Sequence, residues 1–229
     1  MNNRKFVLVT SKKWGEQVYY NLVNNENEDW ELITCKSKFT FKNLSIIKPA
    51  YVFIPHWSYI IPEEIYSNFN CIVFHMTDLP YGRGGSPLQN LILEGKKETK
   101  ISAIKVNQGI DTGDIYLKEN LLLHGTAEQI FNRSIPIITK MISKIIIKKL
   151  NPYKQSGIIK EFKRRKPEDG NIESLKSIEK IYDYIRMLDC EGYPKAFLES
   201  GNVKLEFYSA NIEKDTIRAE VIIRIKEKC

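Results

Sequence analysis

Two short stretches of this 229-residue sequence concentrate side chains able to move protons. The first, "CIVFHMTDLPYGRGGSPLQN" (71–90), ends an apolar run on His75, one of three histidines in the chain. It then enters a Pro- and Gly-rich loop carrying Thr77, Asp78, Arg83 and Gln89. The second, "NQGIDTGDIYL" (107–117), places Asp111 in a turn between two strand-like segments. An imidazole titrates near neutrality, so it can take a proton and return it within one reaction. A carboxylate on a neighbouring loop would fix its tautomer and make an oriented general base. Each residue also has a structural reading: a histidine satisfied in the core, and an aspartate capping a turn. His124, in "LLLHGTAE", reads as structural.

The elements that must position these groups are legible in the patterning. Apolar runs without alternation mark strands buried on both faces, as in parallel sheets covered by helices. Such runs occur in "KFVLVT" (5–10), "DWELITC" (29–35), "PAYVFIP" (49–55) and "NCIVFH" (70–75). Helices are expected over "SKKWGEQVYYNL" and over "PEEIYSNF", the latter opened by Pro62. The order β-α-β-β-α-β points to an open, mostly parallel Rossmann-like α/β sheet, whose ligands bind at the carboxyl ends of strands. His75 stands at such an end. Downstream, "SPLQNLILEG" reads as a helix, and "KISAIKV" and "GDIYLKENLLL" as paired strands. Residues 126–150 read as a helix with a Thr126/Gln129 capping box, kinked at Pro136. A first domain is expected over 1–155 and a small α+β subdomain over 156–229, with one helix (177–189) and strand-like stretches. Its apolar "VIIRI" offers an edge for pairing into a homodimer.

Composition narrows the class. Hydrophobic residues make up 42% and charged residues 28%, as in folded globular proteins. No apolar run approaches the ~20 residues of a membrane-spanning helix, and the first residues lack a signal peptide's core and cleavage site. A cytoplasmic location, with no membrane partner, is the expectation. Four cysteines (Cys35, Cys71, Cys190, Cys229) lie far apart without metal-ligand spacing. Cys35 and Cys71 read as buried reduced thiols, and no metal site is expected. The net charge of +7 is concentrated in 144–166, with nine Lys/Arg against one acid. That segment reads first as a solvated connector; the alternatives are attraction for an anionic substrate such as a nucleotide-sugar diphosphate, or for RNA.

Taken together, "FHMTDLPYGRGGSPLQNLILEG" and "GIDTGDIYL" resemble the N10-formyltetrahydrofolate-dependent N-formyltransferases. That superfamily includes glycinamide ribonucleotide, methionyl-tRNA and sugar N-formyltransferases. His75, Leu79–Pro80, Arg83–Gly84, "PLQ" (87–89) and "DTG" (111–113) fall in register with its pattern. The tail, with "RRKPEDGNI" and "IRMLDCEGYPKAFLESGNVKLEF", looks like the start of the family's C-terminal subdomain. The resemblance runs from Tyr51 to Phe207. It implies that a primary amine attacks the formyl carbon of N10-formyltetrahydrofolate through an oxyanionic tetrahedral intermediate. His75 would be the general acid/base, Asp111 its orienting partner, and no metal would take part. The implied folate pocket draws on His56, Trp57, Tyr59, Ile60 and Met76. Gly84, Gly85, Val106, Gln108 and Ile110 complete it, while Thr77, Asp78 and Arg83 would meet the acceptor.

One position departs from the family. Where it carries Asn two residues before the histidine, this chain has Val73. Residues i and i+2 of a strand share a face, so an oxyanion donor is lost, typically worth ~10²–10³ in rate. Asn90, Thr77 or His56 could replace it, protonated His75 with backbone N–H groups could suffice, or the chemistry could be altered or absent. For the acceptor, the tail is shorter than the full barrel of the tRNA enzymes, and the loop resembles sugar-modifying members. The expectation is therefore a nucleotide-linked amino sugar, such as a 4-amino-4,6-dideoxy sugar, in bacterial surface-glycan synthesis, without a nucleic acid partner. The alternatives are a methionyl-tRNA formyltransferase-like enzyme, formylation of another aminoacyl amine, and a non-catalytic folate-binding module.

Overall fold

The computed structural model describes residues 4–24 and 28–226; Cys229 lies outside them. Its residues divide into two compact units that interleave along the chain. The first takes residues up to Gly84, then Thr99–Leu121 and Asn132–Glu161; the second takes Gly85–Glu98, Leu122–Phe131 and the remainder.

In the first unit, β1 (Lys5–Val9) leads to α1 (Lys13–Val23), which buries Trp14, Val18 and Leu22 at four-residue spacing. β2 (Asp29–Ile33) precedes a helix absent from the expected order, α2 (Phe41–Ile47). The Thr40 side chain caps it by accepting from Asn43 N at 3.2 Å, and Leu44 and Ile47 face the core. β3 (Tyr51–Pro55), the short α3 (Glu63–Tyr66) and β4 (Cys71–His75) follow. β1 pairs in parallel with β2 and with β3, and β3 with β4. Phe6, Val7, Leu8 and Val9 are all without solvent exposure, as a strand covered on both faces requires.

After β4 the chain forms the short β5 (Tyr81–Gly84) and, in the second unit, α4 (Pro87–Leu93). It returns as β6 (Glu98–Lys105), antiparallel to β4, and β7 (Ile115–Leu122). The six-stranded sheet has the order β2-β1-β3-β4-β6-β7. α5 (Ala127–Lys148) opens with the expected capping box, Gln129 N donating to Thr126 Oγ1 at 3.2 Å and Thr126 N to Gln129 Oε1 at 3.0 Å. It continues on both sides of Pro136. β8 (Lys160–Phe162) then pairs with β5. No helix among the described residues is long and apolar enough to cross a membrane.

In the second unit, α6 (Ile178–Leu188) is capped by Ser177, whose side chain accepts from Lys180 N. β9 (Ala196–Ser200), β10 (Val203–Glu213) and β11 (Thr216–Ile225) form an antiparallel sheet with β10 in the centre. The strand-like stretches expected after α6 are thus three strands, β9 and β10 being joined through Gly201 and Asn202. Val221, Ile223 and Ile225 are exposed on the edge strand β11. Arg186 is a buried charge at 5% exposure. Its Nε donates to Asp183 Oδ1 at 2.6 Å, and its Nη1 to the carbonyls of Leu123 and Gly125 at 2.8 and 3.0 Å. An Arg186→Met change leaves both carbonyls and Asp183 without their donors. It should destabilise the chain by roughly 2–4 kcal/mol, read as a lowered urea midpoint at unchanged slope.

Candidate active site

β4 delivers His75 to its carboxyl end, and the β6–β7 connection brings Asp111 to it. His75 Nδ1 lies 3.4 Å from Asp111 Oδ2, with side-chain exposures of 9% and 17%. On the other edge of the ring, Nε2 lies 2.7 Å from the Gly82 carbonyl. Both ring nitrogens therefore face oxygen acceptors; only a doubly protonated ring can donate to both. Asp111 Oδ2 also accepts from Gly84 N at 2.9 Å. β5 thus touches the imidazole and the carboxylate at once.

The Asp111 turn is tightly built. Asp111 has φ 53°, a left-handed conformation uncommon for a non-glycine residue. Thr112 Oγ1 donates to Asn107 Oδ1 at 2.8 Å, and Gly109 N to the same oxygen at 3.1 Å. A Cβ at Gly113 would fall 1.6 Å from the Lys105 carbonyl oxygen, so only glycine fits.

The 76–85 loop satisfies its polar groups internally. Thr77 is wholly buried, and its hydroxyl donates to Gly82 O at 3.3 Å. Buried Ser102 donates to Thr77 O at 2.7 Å and accepts from Leu79 N at 3.3 Å. Asp78 is ion-paired to Lys100 and Lys118, and Lys118 also donates to Leu79 O. Partial burial alone would raise the Asp78 pKa, but hydrogen bonds from Lys118 and Lys100 outweigh it and hold the carboxyl below its usual range. Arg83 binds Gln155. Thr77, Asp78 and Arg83, read as acceptor contacts, thus all have partners within the fold.

The residues expected around the folate fall in several places. Trp57, Val73 and Val106 flank one apolar cluster built on Val7, Ile54 and Cys71. Val73 also borders Leu79, Ile104 and Ile115. The Trp57 indole nitrogen is buried without a hydrogen-bond partner, an orphaned donor that a polar heterocycle could satisfy. Tyr59 meets Trp57 edge-on at 5.1 Å and, like Ile60, Gln108 and Ile110, is exposed. Met76 is buried. In the second unit, Gly85 N donates to Phe162 O at 3.0 Å, and a Cβ there would meet Arg164 Cα at 2.6 Å. That close approach explains the glycine without a ligand. Asn90 donates through Nδ2 to the carbonyls of Gly85, Ser86 and Lys163 at 3.0–3.1 Å, so that nitrogen is already engaged. Cys35 is exposed, not buried: it precedes a short 3₁₀ turn beyond the end of β2. Ser102, Lys118 and Gln155 were missed by sequence reasoning. A lone hydroxyl in the apolar "KISAIKV" was the one available signal.

Comparison with known proteins matches this arrangement to a family. Residues 17–143 fit the model "Formyl transferase", and residues 167–224 fit "Methionyl-tRNA formyltransferase, C-terminal domain". The chain belongs to the formyl transferase family, whose formyl donor is N10-formyltetrahydrofolate. A structure described as methionyl-tRNA formyltransferase from Clostridium thermocellum is 50% identical, with a TM-score of 0.94, covering 97% of this chain and 99% of that one. The methionyl-tRNA formyltransferase of Campylobacter curvus is 27% identical over 198 residues, 85% of this chain and 64% of that protein. The chain spans about half to two thirds of the length of such curated relatives. A sugar N-formyltransferase from Shewanella sp FDAARGOS_354 shares the fold at TM-score 0.71 but only 16% identity, covering 92% of this chain and 99% of that one.

These matches overturn the nucleotide-sugar acceptor, its surface-glycan setting and the exclusion of a nucleic acid partner. Sequence-level relatives carry the methionyl-tRNA name, and the sugar enzyme is related only by fold, which does not set the acceptor. The short tail was a poor guide, since it matches the tRNA enzymes' C-terminal model. The loop's likeness to sugar-modifying members was another, since the sequence-level relatives carry the methionyl-tRNA name.

His56, half-buried at φ 55°, packs its ring edge-on against Trp14 at 5.8 Å. Burial, then the nearby Lys12 charge, lowers its pKa from 6.5 to about 3. The unfolded chain therefore takes up a proton that the folded ring refuses, and stability falls as pH drops from 6.5 towards 3. Above 6.5 this contribution is flat. His56→Gln should show a shallower acid slope of unfolding free energy, measured by urea titration across that range.

Proposed function

We propose that this chain transfers a formyl group from N10-formyltetrahydrofolate to the amine of methionyl-tRNA in the cytoplasm. The observation that carries this reading is the 50% identity, over nearly the whole of both chains, to the structure described as a methionyl-tRNA formyltransferase. The His75–Asp111 pair at the end of β4 supports the chemistry.

When bound, the folate supplies a formyl carbon open to attack by an amine. His75 takes the proton that the attacking amine must lose and returns it to the departing nitrogen. Asp111 holds Nδ1–H and stabilises the charged ring, so Nε2 is the working atom. The Gly82 carbonyl now sits on Nε2, and the amine has to take its place. Val73 offers no hydrogen bond to the developing charge, so that role falls to the protonated ring and backbone N–H groups. Trp57 and Val106 provide apolar walls for the folate beside β4.

The basic segment suits a phosphate backbone: Lys148, Lys149, Lys154 and Lys160 are exposed in the first unit. Formylation of methionyl-tRNA by the purified chain tests the reading directly. His75→Asn should lower kcat by roughly 10²–10⁴ while the protein still folds and binds folate. Replacing Lys148, Lys149 and Lys154 by alanine should raise KM for the tRNA and flatten the salt dependence of its binding. A folded wild-type chain that binds folate but leaves methionyl-tRNA unformylated would sink the proposal.

A further inference from the structure

We propose that Gln155 is a positioning residue for the His75–Asp111 pair. The inference rests on the reading that this pair moves the proton in formyl transfer. Gln155 lies in the connection between α5 and β8, 44 residues beyond Asp111 in sequence. Its Nε2 donates to the carbonyls of Asp111 and Gly113 at 2.9 and 2.8 Å. Its Oε1 accepts from Arg83 Nε and Nη2 at 3.2 and 2.8 Å. Two N–H groups and two lone pairs are all that a primary amide offers, and each has a partner. The amide's orientation is fixed as well, because carbonyls only accept and a guanidinium only donates.

The two segments that Gln155 joins are the two that converge on the imidazole. The Asp111 turn supplies the carboxylate at Nδ1. β5, where Arg83 stands between Gly82 and Gly84, supplies the carbonyl at Nε2 and the N–H on Asp111 Oδ2. Asp111 is held in a left-handed conformation, whose cost is met when the surroundings over-determine it. Gln155 binds the carbonyls of Asp111 itself and of Gly113 two residues on, which fixes where the carboxylate points. It touches neither ring nor carboxylate, and acts through the backbone that carries them.

The test uses two variants that cut this link from opposite sides. Gln155→Glu keeps the shape and the arginine pair but turns oxygen towards the two carbonyls; Arg83→Met removes the tether to β5. Each should lower kcat, by up to about a hundredfold as expected for a small misplacement, with little change in KM for folate. Combined with Asp111→Asn, Gln155→Glu should add almost no further loss, because both act on one contact. The ring ¹⁵N resonances give a readout independent of turnover, and the chain has three histidines to resolve. His75 signals should shift in Gln155→Glu in the direction they shift in Asp111→Asn, while those of His56 and His124 stay in place. Wild-type His75 signals in both folded variants, or losses that multiply in the double variant, would overturn the proposal. A wild-type chain inactive on methionyl-tRNA removes only the functional reading, since the ring spectra still decide the positioning role.

Discussion

The contact between the Asp111 carboxylate and the His75 imidazole is the constraint around which the first unit is arranged. Neither group can hold the other unaided across 3.4 Å of partly wet protein. β4 fixes the histidine by pairing with β3 on one side and β6 on the other. The aspartate is fixed by a turn that tolerates no side chain at Gly113 and gathers hydrogen bonds on Asn107. β5 closes the arrangement, lending a carbonyl to the ring and an N–H to the carboxylate.

Three polar side chains of the loop between His75 and Gly84 have partners within the protein. Thr77, Asp78 and Arg83 look like ligand contacts when read along the chain. In the fold they meet Gly82, two lysines and Gln155. A loop that curls over a buried ring has its own polar groups out of water, and these need partners in the protein. Ser102, one hydroxyl in an apolar strand, satisfies two of them.

Reaction core and acceptor are separable properties. A protein described as a sugar N-formyltransferase has the same fold, and a likeness at 16% identity conveys the fold alone. The similarity to methionyl-tRNA formyltransferases, by contrast, extends through the tail, residues 167–224 included.

The parallel strands, the Thr126/Gln129 box and the pairing of His75 with Asp111 were all readable from the sequence. Apolar runs and caps are short-range, and the two motifs mark their own turns. Helix Phe41–Ile47 had a readable signal too, Thr40 before Leu44 and Ile47, but it lay unrecognised between two strong strands. Tertiary structure alone decided the partners of Gln155, the β5–β8 pairing and the interleaving of the two units. These depend on hydrogen bonds between residues tens of positions apart, and in sequence Gln155 is one polar residue in a basic stretch. Local preference fixes what each segment becomes; the path of the chain fixes which segments meet, and a side-chain amide has no role until they do.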